Sequence, residues 1–311
     1  MNAHPDITVV VCTYNRAEML RDALESLSRL QLSAGRRVEV LVVDNASTDD
    51  TAVVVRAFES GAVPVRYIRE PQPGVVHARN RGVAESRGEW IAFFDDDQLA
   101  DPNWLAELHA AALRQNVRCV GGCVTLKLPD SVCRDLSPVC RMLLGETAGR
   151  NTARKYSHRF TPGAGNLMLH RSVFEDVGVF DPAFGQRGED TDLFLRILAA
   201  GIGGWFTPTA VVHHVIPPER LSDEFLLRLS RVMAEGMAAD ERDARGARQY
   251  PLWWFARLLQ AALVLLPGRL AAWVRGDREM LLGARCRWTI AATSVRDGWR
   301  LLWVGPANSE V

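Results

Sequence analysis

Residues 90 to 105 read WIAFFDDDQLADPNWL, an apolar run that stops at Asp95-Asp96-Asp97. Three adjacent carboxylates repel one another and raise each other's pKa. A plain solvated strand end needs one polar residue, so a positive partner is expected here. A divalent cation such as Mg²⁺ or Mn²⁺ meets the need. Hard cations take oxygen ligands, and Mg²⁺ commonly uses one or two carboxylates together with substrate phosphates. Asp95 and Asp97, at i and i+2, would bracket one side of such an ion if the chain turns there, and the ion would lower their pKa. His214, near the end of a later apolar run, is a candidate further ligand. A surface pair or a satisfied core histidine is the ordinary alternative for His213 and His214.

The elements that would carry these residues can be read from periodicity. ITVVVCTY and VEVLVVD are strand-length apolar runs. Between them Met19, Leu20, Ala23, Leu24 and Leu27 share one helical face. A helix over 51–58 carries Val53, Val54, Ala57 and Phe58, PVRYIRE is a short strand, and 75–86 is helical. EWIAFFD is a fourth strand, and Pro102 opens a helix with Trp104, Leu105, Leu108, Ala111 and Ala112 facing inward. Four strand–helix alternations imply a parallel, doubly wound α/β sheet. In such sheets ligands bind beyond the carboxyl ends of the strands. Thr13 to Arg16, Asp44-Asn45 and Asp95 to Asp97 all fall there. Further on, 117–128 reads as a strand, 130–160 as polar loop, and GAGNLMLHRSVF as a glycine turn into a strand. EDTDLFLRILAAG is a helix with three acids in its first turn, GWFTPTAVVHHV is a last strand, and 239–248 is a solvated charged segment.

Composition narrows the classes. Lys plus Arg and Asp plus Glu balance at 37 each among 311 residues, and 48% of the residues are hydrophobic. A sizeable core is therefore expected, and no basic stripe points to nucleic acid. The first residues lack a basic stretch followed by an apolar one, so the active part is expected in the cytoplasm. The six cysteines are then expected as reduced, mostly buried thiols. Cys119, Cys123, Cys133 and Cys140 lack the paired short spacings of a zinc site. From about residue 250 the chain holds six of the nine tryptophans and eight arginines against four acids. Its longest uncharged run, 258–268, is short for a membrane span. Tryptophan and arginine around an apolar face suit an interfacial helix, which would bring the protein to the inner face of the cell membrane. A helical pair packed on the domain or on a second subunit is the equal alternative.

VVVCTYNR, VVDNASTDDT, ARNRGVAESRGEWIAFFDDDQLADPNWL, GAGNLMLHRSVFEDVGVFD and GEDTDLFLRILAAG follow one another as they do in family 2 glycosyltransferases of the GT-A fold. The chain resembles that family over residues 7 to about 220. The resemblance implies a GT-A domain over 1–220, a Rossmann-like, mostly parallel sheet flanked by helices, followed by a helical, Trp/Arg-rich extension over 221–311. It also implies inverting transfer from a nucleotide-diphospho sugar to a glycan, lipid-linked or small-molecule hydroxyl, with Mg²⁺ or Mn²⁺ on the diphosphate. Thr13, Tyr14 and Arg16 would lie along the nucleotide. Asp44 would accept from the base, which favours UDP or dTDP, with Asn45 and Ser47 supporting that loop. Arg79 would face the diphosphate, Asp95 and Asp96 the ribose side, and Asp97 the metal, with His214 or else His213 as its partner. Asp190 would be the general base, with Glu189 and Asp192 as rivals. Gly163, Gly165, Asn166 and Glu189 would shape the acceptor side.

Other classes miss their signatures. The loop after the first strand, CTYNRAEML, has no glycine, unlike nucleotidyltransferases. Neither G-x-G-x-x-G nor G-x-x-x-x-G-K-[ST] occurs. A phosphatase of the haloacid dehalogenase type carries its D-x-D near the N-terminus, usually followed by Thr. The competing reading from another class is a catalytically silent relative acting as a scaffold in glycan assembly. It would be expected to lack Asp97 or Asp190, and both are present.

Overall fold

The computed structural model describes residues 4–32, 35–130, 135–147, 149, 151–184, 188–235 and 237–302, apart from the side chains of 239, 240, 243, 244 and 247. In chain order the elements begin with β1 (Ile7–Thr13), α1 (Ala17–Ser28), β2 (Val38–Asp44), α2 (Thr51–Arg56), β3 (Val65–Arg69) and α3 (Val75–Glu85). Next come β4 (Trp90–Asp95), β5 (Gln98–Ala100), α4 (Trp104–Gln115), β6 (Cys119–Lys127), α5 (Pro138–Leu143), β7 (Arg154–Lys155), β8 (Asn166–His170), α6 (Ser172–Val177), α7 (Glu189–Ala199) and β9 (Trp205–Val215). The last are α8 (Asp223–Ala234), α9 (Met237–Gln260), a π-helical turn (Ala261–Leu265), α10 (Leu266–Arg275) and α11 (Arg278–Leu302). Contacts divide the chain into two compact units, Met1–Lys127 with Thr147–Val215, and Leu128–Glu146 with Ile216–Val311.

The first unit is built on a mixed nine-stranded sheet in the order β3-β2-β1-β4-β8-β6-β9-β5, with β7 also on β9. The half from β3 to β4 is all parallel, as the strand–helix alternation requires. Val9 and Val11 of β1 face one core with Leu20, Leu24 and Trp104, while Val10 faces the other with Phe93, Phe180 and Phe194. Apolar residues on both faces are what a helix-covered parallel sheet demands. Beyond β4 the parallel pattern ends. β8 runs antiparallel to both β4 and β6, and β9 is parallel to β6. Asp96 and Asp97 form the turn that sends β4 into the short β5. β5 then lies antiparallel on β9, with Gln98 opposite His214 and Leu99 opposite His213.

Local expectations fared unevenly. All five inward residues of α4 are buried, although the helix begins at Trp104 and Pro102 lies in the turn before it. Val53, expected on the inner face of α2, is 56% exposed; the six-residue helix buries Thr51, Val54 and Val55 instead. The stretch 130–160 holds more than loop: α5 starts with Pro138 in its first turn, where proline costs no hydrogen bond, and β7 pairs with β9. Residues 239–248 belong to α9, which kinks at Gly246 where φ is +73°. Cys133 lies outside the described residues, while Cys119 and Cys123 are buried on β6 and Cys140 is buried on α5.

In the second unit α5 packs tightly on α11. A Cβ at Gly283 would lie 2.3 Å from the Ser137 hydroxyl. The Trp254 indole N–H donates to the Val295 carbonyl at 2.8 Å, tying α9 to α11.

One side chain knits the irregular half of the sheet together. Asn166, at the start of β8, accepts from the indole of fully buried Trp104 at 2.7 Å and donates to the Cys123 and Ala210 carbonyls at 3.1 Å each. An unmet buried polar group costs about 1–3 kcal/mol. Asn166→Ala strands a donor and two acceptors at once and should remove about 2–4 kcal/mol of stability. Urea denaturation would register this as a lower midpoint at unchanged slope; a loss under about 0.5 kcal/mol would mean that these groups find other partners.

Candidate active site

A cleft of about 570 Å³ opens beyond the carboxyl ends of β1, β2 and β4. Thr13, Tyr14, Arg16, Asn45, Gly74, Arg79, Asp95, Asp96, Asp97 and Glu189 are among the residues that line it. All of these except Gly74 were singled out from the sequence, and they meet around one space.

The acids are balanced by cations from two other elements. Arg16, just ahead of α1, donates to Asp96 at 2.9 Å and to Asp97 at 3.3 Å. Arg79, on α3, stands 3.7 Å from Asp95 and also pairs with Glu189 at the start of α7. The ring nitrogen Nε2 of His214 lies 3.4 Å from the Asp97 carboxylate. His213, next along β9, points to the other face, where it bonds the Thr125 hydroxyl at 2.8 Å. Strand alternation therefore chooses His214 as the residue beside the acids. Burial raises the Asp96 carboxyl, with Arg16 opposing the rise. Asp95 reaches the cleft with 43% of its side-chain surface yet sits deep in the floor, and desolvation pushes its carboxyl up to about 6. Arg79 pulls that value down, whereas Asp97 and Asp96 add to it. Burial also pushes the Cys12 thiol in the cleft wall up to about 12, which keeps it neutral and a poor nucleophile.

The loops after β1 and β2 hold each other in shape. Asn15 and Ala46 adopt left-handed backbone, at φ +51° and +64°. The Asn15 N–H donates to Ser47 Oγ at 2.9 Å, and Ser47 N–H donates to Asp44 at 2.8 Å. The second Asp44 oxygen accepts from the Tyr67 hydroxyl at 2.6 Å. That bond adds to burial in pushing the phenol up to about 12, so Tyr67 remains a donor. Asp44 and Ser47 are buried beside cleft-lining Asn45. Asn45 bonds the Gln72 carbonyl and the Gly74 N–H, each at 2.7 Å. Tyr67 was not singled out from sequence; only the register of β3 on β2 brings it to Asp44.

On the other side, Asp190 accepts from the Thr191 N–H at 2.7 Å and from the Ala164 N–H at 3.3 Å, so α7 and the 163–165 loop share it. Its rival Asp192 is held by Arg196 one turn along the helix, at 2.8 Å. Glu189 is buried with Oε1 on Arg79, while its Oε2 has no hydrogen-bond partner among the described residues and the residue lines the cleft. Gly163 lies with its missing Cβ 4.0 Å from Asp190. Asn166, expected on the acceptor side, serves the sheet instead, where its whole amide is spent on Trp104 and two carbonyls.

A divalent cation could be held here only in part by the protein itself. Among the described residues no three His, Cys, Asp or Glu side chains gather as a complete protein cage. Asp97 lines the cleft with His214 beside it, and together these two could supply part of a cation's ligands. A cation that takes its remaining ligands from a diphosphate and water fits such a pair.

Comparison with known proteins agrees with this architecture. The sequence profile of Glycosyl transferase family 2 matches residues 8–178. Succinoglycan biosynthesis protein ExoO of Rhizobium meliloti is 38% identical over 265 residues, covering 82% of this chain and 72% of ExoO. The uncharacterized protein y4gI of Sinorhizobium fredii is 31% identical over 229 residues, 69% of this chain but 25% of that longer protein. Among solved structures, the mannosyltransferase PcManGT of Pyrobaculum calidifontis, in complex with GDP-Man and Mn²⁺, superposes with a TM-score of 0.62 at 21% identity. That match covers 97% of this chain and 88% of PcManGT. TarS of S. aureus, residues 1–349 with UDP-GlcNAc, gives 0.55 at 15% identity, over 95% and 92% of the two chains. At these identities the structural likeness concerns the GT-A fold.

Gly165 offers a test of how tightly the floor is built. A Cβ there would fall 2.1 Å from Asp95 Oδ2 and 2.7 Å from the Gln98 amide nitrogen. Gly165→Ala should displace Asp95 while the protein stays folded, and weaken binding of a nucleoside diphosphate by about tenfold, or about 1.4 kcal/mol. Calorimetry reads this directly; unchanged binding would remove Asp95 from the ligand's path.

Proposed function

The chain belongs to glycosyl transferase family 2, and we propose that its cleft transfers a sugar, with inversion, from a nucleotide-diphospho sugar to a hydroxyl acceptor. The observation that carries the reading is the pairing of Asp97 with His214 beside a row of acids already held in place by Arg16. Tyr14, Arg16 and Asn45 line the part of the cleft assigned to the nucleotide. Asp97 and His214 would hold a divalent cation, whose chemistry is to neutralise charge on the departing diphosphate. PcManGT holds Mn²⁺ together with GDP-Man, which supports this choice of cofactor.

The remaining work falls to side chains of this protein. Asp190 takes the proton of the acceptor hydroxyl as that oxygen forms a bond to the anomeric carbon. The bond from that carbon to the diphosphate breaks, and the nucleoside diphosphate leaves with the electron pair. A single displacement of this kind inverts the anomeric centre. The two N–H donors on Asp190 fix its position. They come from its own helix and from the glycine loop, which ties the base to the acceptor side.

UDP or dTDP donors are favoured through Asp44, next to cleft-lining Asn45. Each of its oxygens already accepts one hydrogen bond and retains a lone pair for the N3–H of uracil or thymine. GDP-Man in PcManGT makes guanine the competing base. For the acceptor, the name of ExoO supports a growing polysaccharide, free or lipid-linked, within the wider class of hydroxyl compounds.

Calorimetry with a panel of nucleoside diphosphates, with and without Mn²⁺, tests the assignment. One nucleotide should bind in a metal-dependent manner, and Asp97→Ala should abolish that dependence. Asp190→Asn should bind it as well as the parent while transfer falls by about 10²–10⁴, the usual worth of a general base. Folded protein that binds no member of the panel would favour the silent scaffold reading, and wild-type turnover by both variants would sink the mechanism.

A further inference from the structure

The helical stretch Arg248–Arg275, formed by the end of α9, the π-helical turn and α10, is the one described segment long and apolar enough to cross a membrane, yet only 11% of its most apolar part is buried. Its exposed apolar residues follow a helical repeat. Leu252, Phe255, Leu259, Leu263, Leu266 and Leu270 recur every three or four positions, and Trp273 and Val274 close the stripe. Leu252 is 74% exposed, Leu263 70% and Trp273 68%. The opposite side carries buried Ala261 and Ala272, with half-buried Arg257 one turn before the first and half-buried Arg269 one turn before the second. An amphipathic surface helix normally turns its apolar stripe inward and its charges outward. This one leaves its apolar stripe outward.

The charges identify what covers the stripe. Between Arg248 and Arg275 the sequence has four arginines and no acid. A second copy of the chain seated on this face would bring two helices of like net charge together, with no carboxylate on either to offset the arginines. An anionic surface has the complementary sign. Arg257 also stacks over Trp253, 5.5 Å from the ring centre, the pairing of cation and amphipathic ring favoured at the level of lipid headgroups.

We propose that this face lies in the plane of a bilayer surface carrying anionic headgroups, with the leucine stripe dipping into the acyl boundary and the arginines at headgroup level. The helix does not span. Its inner side is bonded to α11 through Trp254, and α11 carries exposed Arg287, Arg296 and Arg300. Inserting the helix across the bilayer would drag those charges into hydrocarbon, at a cost that lying flat avoids. The proposal uses no residue of the sugar-transfer cleft, so the two readings stand or fall separately.

Flotation of the full-length protein with vesicles tests it, using phosphatidylcholine alone or mixed with phosphatidylglycerol. The protein should rise with the mixed vesicles, far less with phosphatidylcholine alone, and the difference should shrink as salt is raised. Leu263→Asp combined with Trp273→Asp should lower vesicle partitioning by about tenfold or more, with circular dichroism and nucleotide binding unchanged. Arg269→Gln, which leaves the stripe intact, should lower it by a smaller factor and only on anionic vesicles. Three results would overturn the proposal: no flotation on either vesicle, a dimer in sedimentation that the double variant dissolves, or membrane retention through an alkaline carbonate wash.

Discussion

Repulsion among Asp95, Asp96 and Asp97 is the constraint around which the first unit is arranged. Two unit charges 4 Å apart interact by about 4 kcal/mol at the effective dielectric of a protein surface. Three neighbouring carboxylates at a strand end therefore need cations in fixed places. Arg16 serves Asp96 and Asp97, and it stands where the chain enters α1. Arg79 serves Asp95 from α3 and is itself balanced by Glu189 of α7. The acids thus fix the approach of three helices to one strand end. Removing one member of a buried charge group leaves the others unpaired, which costs more than the group contributes when whole. The arrangement is consequently held together by charge as much as by packing.

The turn at Asp96 and Asp97 carries the second half of the design. It reverses the chain into β5, whose register on β9 sets Gln98 against His214. The Val215 N–H closes the corner on the Asp97 carbonyl at 2.8 Å. A histidine far along the chain thereby meets the third aspartate through backbone pairing alone. A shift of one residue in that ladder would exchange His214 for His213 and aim the ring at Thr125, since side chains alternate faces along a strand.

Much of this was legible in the letters because the parallel half of the sheet writes itself as continuous Val, Ile and Phe runs. The inward face of α4 likewise follows directly from helical spacing. Short elements were less visible. β5 has three residues and α5 has six, too few for a period to emerge, and α2 is so brief that Val54 and Val55 alone settle which side is in. The cleft residues were legible one at a time, whereas their bonds to one another were not. Arg79 and Glu189 are 110 positions apart, and Tyr67 reaches Asp44 only through the register of β3 on β2. Asn166 shows the converse: a polar residue in a glycine loop reads as a ligand contact, but three buried partners claim its amide first.

The tail illustrates a limit of composition of another kind. Tryptophans and arginines around an apolar run announce an amphipathic helix without saying which side faces the protein. A periodic pattern fixes the faces relative to each other, and only packing fixes them relative to the core. Here Ala261 and Ala272 are turned inward together with the rings of Tyr250 and Trp254, while the leucines point away. The leucines are left outside, where water alone would leave them unfavourably exposed.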